Sequence, residues 1–201
     1  MVNEMNYTET LKKIVEWNIA AEVQKTELQK KTQLNMLLDE INEFNDSTDE
    51  ENEVKELCDI LFVAVGYFHV SDCDNLAETL HPMNVEHSFN QLMDKAMHQD
   101  MYVITIASKA LQMLIESDNI KVLETVVENN FSKFCQSRYE LNMTIDKYQK
   151  IGVACNYRTT KNGYVVYSAV DQMVGGKFFQ HGKILKNASY KDCVLTDFNV
   201  I

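Results

Sequence analysis

The sequence predicts an all-α fold, a helical bundle with a small β-hairpin appendage toward its C-terminus. Three observations point there. Apolar residues recur at helical spacing in segment after segment, the 201 residues include one proline and six glycines, and the run from Glu56 to Phe68 is apolar on nearly every side over a helix length. With 45% hydrophobic residues, the chain can bury one ordinary domain core.

A first helix is expected from Thr8, a candidate N-cap, to about Glu27, with Leu11, Ile14, Val15, Ala21 and Leu28 as its apolar stripe and Trp17 on or near that face. Gln24 to Lys31 is polar and lysine-bearing, and reads as a solvated helix end or linker. Leu34, Leu37, Leu38, Ile41 and Phe44 predict a second helix, with Glu40 and Glu43 flanking its apolar edge. Asn45 to Asp49 is rich in turn and cap residues, so the Glu56 to Phe68 helix should return antiparallel to the second.

That returning helix carries one charge inside its apolar run, Asp59. An ionised carboxylate in such surroundings must be neutralised, paired with a cation or bound to a metal. Glu56, three positions earlier, shares its face. The hairpin brings Glu40, Glu43, Glu56 and Asp59 together, where they raise one another's pKa unless divalent cations neutralise them; an all-oxygen set suits Mg2+ or Mn2+. The plainer reading is a solvated acidic face, since Glu-x-x-Glu pairs are common in acidic chains. Asp59 within the apolar run argues against it.

Glu40-x-x-Glu43, followed by Glu56-x-x-Asp59 and Ile-Leu-Phe-Val-Ala-Val-Gly66, resembles the MazG-type and phosphoribosyl-ATP pyrophosphohydrolase-like group of all-α nucleotide pyrophosphohydrolases. Val126-Val-Glu-Asn-Asn130-Phe-Ser-Lys133 is similar to the later helix of that group, which ends in Asn-x-Ser/Thr-Lys, and Gly182-Lys-Ile-Leu-Lys186-Asn-Ala-Ser-Tyr190 is similar to the tail of its phage members. The resemblance implies a MazG-like bundle that hydrolyses a nucleoside triphosphate to the monophosphate and diphosphate with Mg2+ (or Mn2+). Glu40, Glu43, Glu56 and Asp59 would be metal ligands. One of Glu40 and Glu43 would be the catalytic base, with Lys133 offsetting phosphate charge.

Asn130 and Lys133 share a face, where the amide can bind phosphate or sugar and the ammonium can neutralise a phosphate oxygen; the bland alternative is a solvated helix end. The group places aromatic and polar residues of the first helix near the nucleotide, which implies substrate contacts for Trp17 and Asn18, although a lone Trp is commonly core. A related enzyme acting on phosphoribosyl-ATP or alarmone nucleotides is one alternative. A non-catalytic helical interaction protein is the other. A homodimer or higher homo-oligomer is implied as well. Residues from about 71 to 117 match nothing in the group and read as a helical insertion, giving an all-α domain over 1–143 and a small α+β appendage over 144–201.

Within that insertion, Ser71 to Asn75 stops the preceding helix, Pro82 lies in a less regular stretch, and Val85 to Met97 and Met101 to Ile115 predict two helices. His69, His81, His87 and His98 lack the i, i+4 pairing of a helical metal site. Asp118-Asn119 would cap a helix over Ile120 to Phe134. A short helix is expected over Ile145 to Val153, then a hairpin in which Ala154 to Arg158 and Tyr164 to Tyr167 flank Asn162-Gly163. Gly175-Gly176 and Gly182 to Lys186 read as loop.

The net charge of -11 argues against nucleic acid as a partner, because phosphate backbones are bound by basic patches. A single nucleotide held by cations and one or two lysines remains compatible. No apolar run reaches membrane-spanning length and the N-terminus lacks the order of a secretory signal, so a cytoplasmic protein is expected, in the host cytoplasm for a phage chain. Cys58, Cys73, Cys135, Cys155 and Cys193 are odd in number and include no Cys-x-x-Cys, which indicates neither a disulfide framework nor a zinc site.

Overall fold

Residues 60 to 65, Ile-Leu-Phe-Val-Ala-Val, are buried without a break. Six successive buried positions on a helix leave no solvated face, so neighbours must wrap it on all sides. The computed structural model of the chain, which describes residues 2–23, 26–69, 90–114 and 119–195, supplies those neighbours. The run belongs to α3 (Glu50–His69), which packs against α1 (Val2–Ala21), α2 (Glu27–Asn45), and two later helices. After α4 (Asn90–Met97) come those two, α5 (Tyr102–Leu114) and α6 (Asn119–Phe131). The expected polar stop at Ser71 to Asn75, Pro82, the start of the 85–97 helix and the Asp118 cap lie outside the described residues.

The boundary between the first two helices differs from expectation. α1 ends at Ala21, and the chain reverses through Glu22, whose φ of 52° is left-handed, with Val23 N–H donating to the Asn18 carbonyl at 3.3 Å. Thr26 then caps α2: its hydroxyl accepts from Gln29 N–H at 3.2 Å, while Gln29 Oε1 accepts from Thr26 N–H at 2.8 Å. From Glu27 onward the lysine-bearing stretch therefore forms the first turns of α2, and Leu28 is exposed there instead of joining the α1 stripe. Between α2 and α3, Asp49 accepts from Asn52 N–H at 2.9 Å, and Glu50, Glu51 and Glu53 complement the α3 N-terminal dipole.

The residues expected to form an insertion contribute to the core. Val103, Ile104, Ile106, Ala107 and Leu111 of α5 are buried in the same cluster as α3, and α4 packs on α2 and α5. α6 stops at Phe131, so Lys133 stands just past the helix in a turn where its N–H donates to the Asn130 carbonyl at 3.1 Å.

α7 (Arg138–Lys150) starts well before Ile145, because Ser137 caps it by accepting from Glu140 N–H at 3.1 Å and Glu140 accepts from Gln136 N–H at 2.6 Å. The expected hairpin follows as β1 (Cys155–Thr160) and β2 (Gly163–Ser168), antiparallel with Thr160 opposite Gly163. Gly163 has φ 119°, and a Cβ there would meet the Cys135 carbonyl oxygen at 2.4 Å, so a side chain is excluded. A second hairpin, β3 (Gln172–Val174) and β4 (Lys177–Phe179), turns through Gly175 and Gly176, both at positive φ, where the sequence reading had only loop.

Lys183 to Leu185 then runs beside β2: Ser168 N–H donates to the Lys183 carbonyl at 3.0 Å, and Leu185 N–H to the Val166 carbonyl at 2.8 Å. Leu141, Tyr148, Val166, Phe179 and Leu185 form a separate small core under this region. The molecule is thus mostly helical with small β-hairpins. Among the described residues, no helix is long and apolar enough to cross a membrane.

Candidate functional site

α2 carries Glu40 and Glu43 and α3 carries Glu56 and Asp59, and antiparallel packing of the two helices brings their acids into one region. One carboxylate oxygen each from Glu40, Glu43 and Glu56 lies within 4.8 Å of the others. Glu43 is exposed, Glu40 half-buried and Glu56 buried. Asp59 stays outside that trio, although it lines the same cleft as Glu40.

Both acids of α3 also contact a residue to which the sequence reading gave no role. Lys55 Nζ stands 2.6 Å from Glu56 Oε1 and 3.2 Å from Asp59 Oδ2. Of the states open to Asp59, the structure shows pairing with a cation. Partial burial opposes the Lys55 charge, but Asp59 and Glu56 outweigh it and hold the ammonium above its ordinary range. Burial, then the negative charges of Asp59 and Glu43, push the Glu40 carboxyl up to about 8, against the pull of Lys183. Burial likewise raises Glu56, with Lys55 pulling the other way. Glu56 Oε2 is buried with no hydrogen-bond partner. Glu40, Glu43 and Glu56 are the residues that could hold a divalent cation, being all-oxygen donors that include this orphaned atom.

Beside the acids lies a cleft of about 80 Å3, lined by Glu40, Asp59, Asn130, Lys133 and Lys183, among others, over a floor of Trp17 and Phe62. Lys133 Nζ donates to Asn130 Oδ1, and Asn130, itself buried, donates from Nδ2 to the Val126 carbonyl at 3.0 Å. Burial lowers the Lys133 pKa, while Asp59 and Glu40 oppose that shift and Lys186 and Lys183 add to it. The cleft is therefore lined both by carboxylates, from α2 and α3, and by ammonium groups, from the turn after α6 and from the Lys183 segment.

Trp17 and Asn18 are at once core and floor. The Trp17 ring meets Phe62 and Phe134 edge-on, with centroids 4.9 and 5.8 Å apart, and its Nε1–H donates to the Asn130 carbonyl at 2.9 Å. Asn18 is buried against Gly66 and donates to the Ile14 carbonyl at 2.8 Å. Six of the sequence-named residues, Trp17, Asn18, Glu40, Asp59, Asn130 and Lys133, thus line one cleft, and Glu43 and Glu56 join Glu40 at its acidic edge.

Lys183 belongs to the Gly182 to Tyr190 tail motif. It reaches the cleft because the chain on both sides of it is tied down: Thr32 donates to the His181 carbonyl at 3.0 Å, Asn187 Nδ2 to the Ser132 carbonyl at 2.7 Å, and Tyr148 to the Lys186 carbonyl at 3.1 Å. The i, i+4 spacing of Lys55 and Asp59 was a legible sign of their pairing. Comparison with protein-family models, with curated proteins and with solved structures gives no match to this chain.

Proposed function

We propose that the chain is a Mg2+-dependent nucleoside triphosphate pyrophosphohydrolase on a MazG-like bundle, releasing monophosphate and diphosphate. The observation that supports it best is the pairing of opposite charges in one cleft: Glu40 and Asp59 line the same space as Lys133 and Lys183. A polyphosphate bridged to the acids by metal and capped by lysines needs both signs of charge.

Glu40, Glu43 and Glu56 would hold the ion, with Asp59 joining them when Lys55 gives it up. Bound Mg2+ or Mn2+ would neutralise phosphate charge and lower the pKa of a coordinated water. Half-buried Glu40 at the cleft and exposed Glu43 are the two candidates for the base. Lys133 and Lys183 would offset charge building on the phosphates. Asn130 spends its amide on Lys133 and the Val126 carbonyl, so it serves by aiming Lys133, and Trp17 steadies the same turn through the Asn130 carbonyl.

At about 80 Å3 the cleft takes a phosphate group but not a whole nucleotide, since ligand pockets usually run from roughly 300 Å3 upward. The base and sugar would lie outside it, or the Lys183 segment would shift to admit them. A homo-oligomer and a phage source, both implied by the resemblance, and a cytoplasmic setting complete the proposal.

The test is incubation of the chain with Mg2+ and a panel of nucleoside triphosphates, phosphoribosyl-ATP and alarmone nucleotides, scored for monophosphate and diphosphate. Turnover that Glu40→Gln abolishes supports the reading; no product from any member sinks it. The Lys55 pairing favours a second reading, a non-catalytic helical protein in which Lys55 neutralises Glu56 and Asp59 within α3. A thermal melt separates the two, because a metal site raises Tm on addition of Mn2+ and a satisfied acidic face does not.

A further inference from the structure

The four acids expected to act together are divided three to one, and Lys55 bridges the two parts. Glu56 and Asp59 sit one turn apart on the same helix face, yet only Glu56 reaches the 4.8 Å cluster with Glu40 and Glu43. The Lys55 ammonium lies between Glu56 and Asp59, 2.6 Å from the first and 3.2 Å from the second. We propose that Lys55 is a built-in counter-cation, which withholds Asp59 from the carboxylate cluster and must be displaced when a divalent cation loads. This inference rests on the reading of the cluster as a metal site.

Exposure decides which partner moves. The Lys55 side chain is 40% exposed, whereas those of Asp59 and Glu56 are 24% and 8% exposed, so Lys55 alone can swing into water without opening the helix packing. Part-exposed ion pairs contribute little to stability, so a divalent cation can outcompete this one. Facing the pair from α2 are Glu40 and Glu43, which repel each other and gain from any cation that replaces the ammonium. Glu56 also keeps one buried oxygen without a partner beside the Lys55 contact. An ammonium satisfies one oxygen of each acid, whereas a hard divalent ion can gather several oxygens at once. Lys55 would therefore set the affinity and loading of the site without touching the reacting atoms.

The test is calorimetric titration of the full metal-free chain with Mn2+ alone, comparing the native protein with Lys55→Met, Lys55→Arg and Asp59→Asn. Lys55→Met keeps the apolar stem and should bind Mn2+ about tenfold more tightly, while Lys55→Arg, which keeps the pairing, should stay within about twofold of native. Asp59→Asn should cost about tenfold in the Lys55→Met background and markedly less in the native chain, since native Asp59 must first be freed. That coupling separates displacement from the general repulsion of a nearby positive charge, which would leave the Asp59→Asn effect equal in both backgrounds. Equal effects, or unchanged or weaker binding by Lys55→Met, overturn the inference while the metal reading stands. Absence of Mn2+ binding by both the native chain and Lys55→Met overturns the metal reading and this inference with it. Far-UV circular dichroism checks each fold, and Lys55→Gln replaces Lys55→Met should the latter not fold.

Discussion

Gly66 of α3 lies directly against Asn18 of α1: a Cβ on Gly66 would stand 2.4 Å from the Asn18 carboxamide. Asn18 is buried and its amide is committed to the Ile14 carbonyl, so it cannot swing clear. The approach of the two helices at this point thus depends on a missing side chain. In an isolated helix alanine is favoured over glycine by about 1 kcal/mol, but overpacking a filled core costs roughly 1–3 kcal/mol and should win here. Gly66→Ala should lower the urea midpoint, and adding Asn18→Ala should recover part of the loss. A more stable Gly66→Ala chain would show that the contact is not tight.

The Glu40 carboxyl gives the metal-free protein a stability slope with a definite sign. Its pKa rises from 4.5 to about 8 on folding, so between those values the folded chain holds a proton that the unfolded chain has released. Stability should therefore fall as pH rises through that window and level off above it, by about 1–3 kcal/mol once partial exposure is allowed for. Burial shifts Glu56 in the same direction. Urea melts in chelator from pH 5 to 9 should show the slope, and Glu40→Gln should flatten it. A native profile as flat as that of Glu40→Gln would mean the carboxyl is not perturbed.

Removing either cleft ammonium should harm substrate handling more than metal binding. Lys133→Ala and Lys183→Ala should each lower kcat/KM about ten- to a hundredfold, the loss typical of a charge-assisted contact of roughly 1.5–3 kcal/mol, with Mn2+ affinity kept or slightly improved. Lys133→Arg should also impair turnover, because a broad fork does not replace a compact charge. Full kcat/KM in Lys183→Ala would remove that lysine from the substrate contacts.

Trp17 offers a separate probe of the turn that carries Lys133. Trp17→Phe keeps a ring beside Phe62 and Phe134 but drops the hydrogen bond to the Asn130 carbonyl, at a cost of about 1–2 kcal/mol in stability. If that bond positions Lys133, turnover should fall severalfold while Mn2+ affinity stays unchanged. Equal turnover would make Trp17 a core residue only.

α3 could be read from its sequence because an all-apolar run has one physical solution, and the acids of α2 and α3 could be placed because two stripes and a turn determine how they meet. The α1 to α2 boundary was misread although Thr26 and Gln29 spelled out a capping box, since the lysines around them looked like a solvated end. α7 was cut short for a related reason: exposed Tyr139 and Met143 blur its apolar stripe, while Ser137 and Glu140 mark its true start. The pairing of Lys55 with Asp59 is local and was within reach. The placement of Lys183 was not, because it depends on hydrogen bonds to Thr32 and Ser132, partners that no local pattern reveals.

The order of synthesis gives the Lys55 contact another consequence. A ribosome delivers residues 27–69 long before Lys133 and Lys183, so the hairpin of α2 and α3 emerges with its acids facing one another and with neither cleft lysine yet made. Lys55 lies on α3 itself, four residues from Asp59, and can pair with it as soon as that turn forms. The nascent hairpin thus carries its own neutralising charge, and its helices can close before the rest of the chain has arrived.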